Sequence, residues 1–247
     1  PVNGPRPSGQ ASDVLIINPS AGTGFVAGVA GKSAYQIAVD YGYEGSEAQW
    51  IASLTPANIA GVDEAGRGPC AGPLVVAAVI LKDPLAKELA QVKDSKELSA
   101  DQRESLYEVI ISNCLSYSII EISVTEIDLL GLHKCNIEGM RRAVNTLEIN
   151  PEYVLTDGYP IPGLTTANLA VIKGDQVAIS ISAASILAKV YRDRIMIKLD
   201  QDYPNYGLAK HKGYITALHT AAINKHGVLP IHRKSFANIS AIIQAGK

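Results

Sequence analysis

The chain has 247 residues, of which 47% are hydrophobic and 19% charged, and its formal net charge is −2. These values exclude a disordered or fibrous protein and leave room for one substantial domain beside a smaller part. Because no apolar run reaches about 18 residues and the first residues lack the layout of a signal peptide, we expect no membrane contact and a cytoplasmic location.

The first 57 residues have a different texture from the rest. Residues 1–30 are rich in Pro, Gly and small residues around one apolar burst at 14–17, which predicts a linker or weakly ordered arm. Residues 31–54, GKSAYQIAVDYGYEGSEAQWIASL, predict a small helical hairpin and resemble short modules of phage tail-fibre and collagen-like surface proteins. A fusion junction near 55–57 would explain the change of texture. The Gly-Lys-Ser at 31–33 is no P-loop, because Val26 stands where that motif needs its first glycine.

From residue 58 onward the pattern predicts a catalytic domain over 58–247 with a mixed α/β sheet, because strands in a row are followed by alternating strands and helices. The predicted elements, in chain order, are a strand ending at Asp63, a strand over 74–81, a helix capped by Ser99, a strand over 115–123, a two-piece helix over 125–147, strands ending at Asp157 and near Asp175, a long helix stopping before Pro204, and a last helix stopping at Gly227.

Four carboxylates occur at the predicted ends of strands. Asp63 and Glu64 end the first strand of this domain, Asp157 ends a later one, and Asp175 follows another. Side chains that leave neighbouring strands of an α/β sheet converge at one edge, so we expect these acids to share a small volume. Such a cluster repels itself unless a cation joins it, and oxygen ligands suit Mg²⁺ or Mn²⁺. Each acid taken alone could equally be an ordinary turn residue.

Gly66 and Gly68 flank Arg67 directly after the first two acids. Without Cβ atoms, this main chain can approach a substrate closely and bond a small polar group such as a ribose 2′-hydroxyl. The alternative is a tight turn that needs unusual backbone dihedrals, and the glycines alone favour that alternative.

Seven stretches identify a family. The segments GVDEAGRGPCAGPLVVAAVIL, DSKELS, TDGY, KGDQ, SAASILAKVYRDR, YPNYGLAKHKGYITALH and HGVLPIHRKSF occur in the order and approximate spacing found in bacterial ribonuclease HII, which this chain resembles from about residue 58 to about 240. The resemblance implies a ribonuclease H-like fold, with a mixed five-stranded sheet, flanking helices and a C-terminal helical part.

The implied activity is that of a type 2 ribonuclease H, a hydrolase of DNA repair and replication. It would cut 5′ to a ribonucleotide in RNA/DNA hybrids and in DNA duplexes with embedded ribonucleotides, leaving 3′-hydroxyl and 5′-phosphate ends. Two Mg²⁺ or Mn²⁺ ions would act in catalysis. The family's metal-binding acids fall on Asp63, which would bridge both ions, on Asp175 at the ion that activates water, and on Glu64 and Asp157 at the ion facing the leaving group.

The resemblance also implies how the substrate is recognised. Gly66, Arg67 and Gly68 would read the 2′-hydroxyl, and Tyr214 would pack beside the sugar at the junction and check that a ribose is followed by a deoxyribose. The partner would be nucleic acid, and the protein a monomer.

Basic residues supply candidate phosphate contacts. Residues 185–247 hold 10 Lys/Arg against 3 Asp, whereas residues 58–184 hold 10 against 17 acids, which can place a basic track beside an acidic pocket. Ser185, Lys189 and Arg192 share one face of the long helix and could line phosphates, as could Lys96. Each could instead be a solvated cation or an ion-pair partner, for instance Lys189 with Asp193.

The cysteines, the histidines and two rival functions complete the predictions from the sequence. Three cysteines without CxxC spacing favour a reducing compartment, and Cys70 suits a buried filler better than a nucleophile. Four histidines (His211, His219, His226 and His232) lack metal-site spacing and are assigned no metal. The rival functions are a surface protein that merely carries the nuclease segment, and a ribonuclease H-like nuclease or transposase relative acting on DNA alone.

Overall fold

The computed structural model describes residues 58–246 throughout, the strands at 14–18 and 22–26, and single positions at 36, 39, 40, 42, 44 and 46. Contacts divide the chain into two compact units, Pro1–Ala57 and Asn58–Lys247. The helical hairpin expected over 31–54, and the resemblance to tail-fibre modules drawn from it, lie outside the described residues apart from those single positions.

The segment 1–30, expected to be a linker, contains two paired strands, which corrects that prediction. Strand β1 (Val14–Asn18) pairs antiparallel with β2 (Gly22–Val26), and Val14 lies opposite Val26. The run over 14–17 is rich in β-branched residues, which favour strands. The second strand carries two glycines, and for that reason its composition resembles a loop.

The larger unit is built on a five-stranded sheet. Its strands are β3 (Ile59–Ala65), β4 (Leu74–Leu81), β5 (Cys114–Ile122), β6 (Tyr153–Asp157) and β7 (Asn168–Val171). The spatial order is β5-β4-β3-β6-β7, with antiparallel pairing among β3, β4 and β5 and parallel pairing of β3 with β6 and of β6 with β7. The predicted mixed sheet is therefore confirmed.

Seven helices accompany this sheet among the described residues. They are α1 (Ala100–Ser112), α2 (Val124–Leu130), α3 (Leu132–Asn145), α4 (Ile179–Asp202), α5 (Leu208–His211), α6 (Ala217–His226) and α7 (Ala237–Gln244), and short 3₁₀ helices lie at Lys87–Leu89, Ser95–Glu97 and Gly174–Gln176.

Local chemistry explains most helix boundaries. Ser99 forms a capping box with Gln102 at the start of α1, as the sequence predicts for that cap. Gly131, at φ +84°, separates α2 from α3 and produces the expected two pieces. The prediction that the helix ending at Gly227 is the last one was wrong, because α7 follows it. No side chain caps the start of α7, so this helix lacks the local signal that marks a helix start.

Helices cover both faces of the sheet. Strand β4 is buried along its whole length: its odd-numbered residues pack with α1 and α4, and its even-numbered residues pack with α3. Gly61 brings α4 close to β3, because a Cβ there would lie 2.0 Å from the carbonyl carbon of Ser180. A third cluster, around Met196 and Ile239, joins the C-terminal helices. No helix in the described part of the chain has both the length and the apolar character to span a bilayer.

Candidate active site

Three aspartates come together at the edge of the sheet where the parallel strands β3, β6 and β7 end. Asp63 lies on β3, Asp157 ends β6, and Asp175 lies in the 3₁₀ helix Gly174–Gln176. One carboxylate oxygen from each lies within 4.8 Å of the others. The parallel pairing of β3, β6 and β7 produces this convergence, because the carboxyl ends of parallel neighbours meet at one edge.

Charge repulsion in this triad is only partly relieved by the protein. Burial, followed by the nearby carboxylates of Glu64 and Asp157, holds the pKa of Asp63 well above its usual value. Burial is also the main cause that raises the pKa of Asp157, even though its Oδ1 accepts a 2.7 Å hydrogen bond from the amide of Gly174. Lys96 donates to Asp175 Oδ2 at 2.9 Å. An all-oxygen cluster with this excess of negative charge has the donor set that a hard divalent cation prefers.

Glu64 approaches the triad from the other face of the sheet. Successive strand residues point to opposite faces, so Asp63 faces α4 while Glu64 faces α3, where Asn136 donates to its Oε2 at 3.4 Å. Its pKa is raised by burial, with Asp157 adding and Arg67 opposing. Asn136 Oδ1 is buried without a hydrogen-bond partner, so this edge of the site has an acceptor left over for a bound group.

Most of the predicted site residues line one pocket. It is formed by eleven of them, together with Ala65 and Ser95: Asp63, Glu64, Gly66, Arg67, Gly68, Lys96, Asp157, Ser185, Lys189, Arg192 and Tyr214. Asp175 joins it through the triad and through its bond to Lys96. Ser185 shares a 2.9 Å hydrogen bond with Ser95, and Lys189 pairs with Asp193 at 2.7 Å.

The glycine loop after β3 contains the tight turn that the alternative interpretation of its glycines expects. Gly66 has φ +101°, and a Cβ there would lie 2.1 Å from Arg192 Nε, so this glycine is a requirement of the turn. Gly68 lies beside the ring of Tyr214: a Cβ added to Gly68 would be 3.3 Å from a ring carbon of Tyr214. The Arg67 guanidinium lies over the ring of Tyr159 at 4.6 Å and 3.5 Å from Glu64 Oε1.

Two buried arginines hold this loop from behind. Arg192 donates to the carbonyls of Pro73, Ala71 and Lys212 at 2.9–3.0 Å, and Arg233 donates to those of Gly72 and Arg67 at 2.9–3.2 Å. Burial lowers their pKa values, to about 10 for Arg192 and about 9 for Arg233.

The position of Arg192 corrects a prediction. Its helical spacing with Lys189 suggested a phosphate contact, but its side chain is buried and its guanidinium nitrogens bond main-chain carbonyls. Helical spacing places a residue on a face, and here that face is covered by the loop and by residue 212.

Sequence reasoning overlooked three residues of the site. Tyr159 stacks under Arg67, Asn136 bonds Glu64, and Arg233 holds the loop. Asn136 had a detectable signal, because it is a polar residue within the buried stripe of α3. Arg233 is far along the chain from the loop, and no local pattern connects the two.

Comparisons with known proteins agree with this geometry. A family model described as Ribonuclease HII matches residues 60–239. Ribonuclease HII of Acidothermus cellulolyticus is 52% identical over 189 residues, which are 76% of this chain and 62% of that protein. Ribonuclease HII of Nocardia farcinica is 55% identical over 181 residues, 73% of this chain and 72% of that protein.

A solved structure shows the same fold. The crystal structure of the ribonuclease H2 from Pyrococcus horikoshii OT3 superposes with a TM-score of 0.67 at 31% identity, covering 76% of this chain and 98% of that one.

Proposed function

The chain belongs to the ribonuclease HII family, and from this premise we propose that it is a type 2 ribonuclease H acting on RNA/DNA hybrids. The bond cut is the phosphodiester 5′ to a ribonucleotide, in hybrids and in DNA duplexes with embedded ribonucleotides, and the products carry 3′-hydroxyl and 5′-phosphate ends. The observation that carries the proposal is the aspartate triad, with its carboxylate oxygens within 4.8 Å, in the same site as a bare glycine loop.

The acids are the residues that would hold divalent cations. Asp63, Asp157 and Asp175, with Glu64 beside them, offer carboxylate oxygens whose mutual repulsion a cation would cancel. Two bound Mg²⁺ or Mn²⁺ ions supply charge stabilisation for the attacking and the leaving oxygen of a phosphodiester displacement. The ammonium group of Lys96 lies 2.9 Å from Asp175 Oδ2. It therefore neutralises part of the negative charge of the cluster.

The glycine loop is the proposed reader of the ribose 2′-hydroxyl. The carbonyl of Arg67 bonds the buried Arg233 guanidinium. In a planar trans peptide the N–H points opposite to the C=O, so the amide of Gly68 faces away from that arginine. The ring of Tyr214, which is 48% exposed, lies beside Gly68. A ribose edge placed between them meets a main-chain donor and an aromatic face, which together distinguish RNA from DNA.

The phosphate contacts belong to residues at the rim. Lys189 is partly exposed at the pocket and Lys96 is largely exposed, so both ammonium groups can reach a strand that enters the site. Ser185 supports the site through its bond to Ser95. Arg192 shapes the loop instead.

The test is metal-dependent cleavage of a DNA duplex that contains one ribonucleotide, with the cut position mapped. We expect a single cut on the 5′ side of the ribose and none in an all-DNA duplex. The Asp63→Asn and Asp157→Asn variants should lose cleavage and keep most duplex binding, because the acids act on the reaction and the basic rim on affinity. Full activity in either variant, or equal cutting of both duplexes, would refute the proposal.

The proposal extends to the state of the protein. A cytoplasmic location agrees with three cysteines that are all free and buried. The protein is proposed to be a monomer, which light scattering of the full chain tests. Removing residues 1–57 should leave cleavage intact, because the predicted catalytic residues all lie within the unit Asn58–Lys247. Loss of cleavage would favour an active role for the first unit.

A further inference from the structure

Three buried imidazoles lie behind the pocket, and the proposed reaction does not use them. The side chains of His219 and His232 are fully buried, and His211 is nearly so. His211 stacks on His219 with ring centroids 4.2 Å apart, and His219 Nε2 lies 3.0 Å from His232 Nε2. Buried polar rings of this kind need defined hydrogen-bond roles.

Main-chain partners fix the proton positions of His219 and His232. The amide of Leu229 donates to His232 Nδ1 at 2.8 Å, so neutral His232 carries its proton on Nε2. That Nε2–H donates to His219 Nε2. The proton of neutral His219 is therefore on Nδ1, where it donates to the carbonyl of Tyr214 at 3.0 Å.

His211 forms a second arrangement of the same kind. Its Nε2 donates to the carbonyl of Tyr206 at 2.8 Å, and its Nδ1 accepts from the amide of Gly213 at 3.2 Å. The main-chain carbonyl of His211 accepts from the amide of Tyr214 at 2.9 Å. The N–H of Tyr214 therefore bonds the carbonyl of His211, and the C=O of Tyr214 bonds the ring of His219.

The same chain of bonds reaches the glycine loop. The amide of Cys70 donates to the carbonyl of Gly213 at 3.0 Å, and Ala71 forms an isolated antiparallel bridge with His232. One connected network of hydrogen bonds therefore joins the main chain of Tyr214 to that of Cys70, two residues after Gly68.

Only neutral imidazoles fit this network. A second proton on His219 would sit on Nε2 and point at the Nε2–H of His232. A second proton on His232 would sit on Nδ1 and point at the N–H of Leu229. Burial lowers the pKa of His219 and lowers that of His232 to about 4, and both shifts favour the neutral forms that the hydrogen bonds require.

We propose that His219 is a positioning residue for Tyr214, and that His232 fixes the tautomer in which His219 donates to the Tyr214 carbonyl. The inference rests on the proposed function, in which Tyr214 checks that a deoxyribose follows the ribose. What His219 sets is the position of that ring beside Gly68, and hence the preference for a single embedded ribonucleotide over a continuous RNA strand.

Two substitutions of one residue separate this role from packing. In His219→Asn the amide nitrogen can occupy the Nδ1 position and keep the bond to Tyr214, while the acceptor for His232 is lost. In His219→Gln the side-chain oxygen can replace Nε2 for His232, while the donor to Tyr214 is lost. The readout is the ratio of kcat/KM on a single-ribonucleotide duplex to kcat/KM on a continuous RNA/DNA hybrid.

We expect the ratio to fall about fivefold in His219→Gln and to stay within about twofold of wild type in His219→Asn, the scale of one neutral hydrogen bond. In a Tyr214→Ala background, His219→Gln should change the ratio no further. His226→Phe, at an exposed position at the end of α6, is the matched control and should leave the ratio unchanged. An unchanged ratio in His219→Gln, or an equal fall in the two His219 variants, would overturn the inference.

NMR spectroscopy tests the proposed tautomers of His219 and His232 without a cleavage assay. Long-range ¹H–¹⁵N spectra of the full chain at neutral pH should show His219 as the Nδ1–H tautomer and His232 as the Nε2–H tautomer. The opposite tautomers, or charged rings, would overturn it. Equal cutting of ribonucleotide-containing and all-DNA duplexes by the wild-type chain would instead refute the proposed function, and the two failures are thereby distinguished.

Discussion

Removing one charge from the aspartate triad should make the cation-free protein more stable while it abolishes cleavage. Asp63 is the most informative position, because its carboxylate is buried and its pKa is raised well above the usual value. Asparagine has nearly the same shape and retains the side-chain oxygen that accepts from the amide of Glu64 at 2.7 Å. The Asp63→Asn substitution therefore removes charge with little change in packing.

The magnitude follows from the spacing of the carboxylates. Two unit charges at most 4.8 Å apart repel by at least about 3 kcal/mol at an effective dielectric constant of about 20. The raised pKa of Asp63, which favours its neutral form, and the ammonium group of Lys96 beside Asp175 reduce this repulsion in the wild type. We expect the free energy of unfolding of Asp63→Asn to rise by about 1–3 kcal/mol, which corresponds to roughly 2–4 °C in Tm for each kcal/mol.

The assay is urea or thermal unfolding in a chelator, repeated with Mg²⁺ or Mn²⁺. Added cation should stabilise the wild type more than the variant, because binding to the folded state alone raises stability by mass action. A carboxyl whose folded pKa is raised stabilises the fold at low pH and loses that contribution as pH rises. The advantage of the variant should therefore shrink as the pH falls toward 4.

Asp128→Asn is the control with the opposite sign. The carboxylate of Asp128 accepts from the amides of Lys234 and Ser235 and from the Ser235 hydroxyl, and its pKa is lowered. This substitution should destabilise the protein by about 1 kcal/mol. A loss of stability for Asp63→Asn in chelator comparable with that of Asp128→Asn would refute the account of a self-repelling triad.

Three further substitutions or conditions test the surroundings of the site. Gly66→Ala should lower the free energy of unfolding by at least about 2 kcal/mol, because the new Cβ meets Arg192 at a positive φ, whereas Gly163→Ala, at φ +74° with open space around it, should cost only about 1 kcal/mol in the same unfolding assay. Arg192→Met should cost about 3 kcal/mol in urea unfolding, because it leaves three main-chain carbonyls without these donors. Arg194→Met loses partly exposed ion pairs with Glu104 and Glu108 and a contact with the ring of Tyr107, and should cost only about 1 kcal/mol. Equal losses would contradict the role given to Arg192. Because the folded pKa of His232 is about 4 against an ordinary 6.5, stability should decline by up to about 3 kcal/mol as the pH falls from 6.5 to 4, and His232→Asn should flatten that decline in a pH series of unfolding curves.

Strand ends were the part of the site that the sequence made predictable. Asp63 lies near the end of β3, Asp157 ends β6 and Asp175 follows β7, and parallel neighbours bring such positions to one edge. The capped helix after Ser99 and the break at Gly131 were predictable from local side-chain and glycine chemistry.

Long-range partners were beyond that reasoning. Helical spacing put Arg192 on a face but could not show that loop carbonyls cover it. The pairing of β1 with a glycine-bearing strand, and the uncapped start of α7, had no local signal to detect. The bond between His219 and Tyr214 depends on a turn whose shape only the folded chain defines.

The bonds from Arg233 to the glycine loop imply an order in which the parts of the site can fold. The loop carbonyls of Gly72 and Arg67 bond a guanidinium that lies 161 and 166 positions further along the chain. During synthesis the strands and their acids are made first, while Arg233, which supports the glycine loop, is still to be translated. A nascent chain therefore cannot complete the pocket until residue 233 has been translated and has bonded the loop carbonyls.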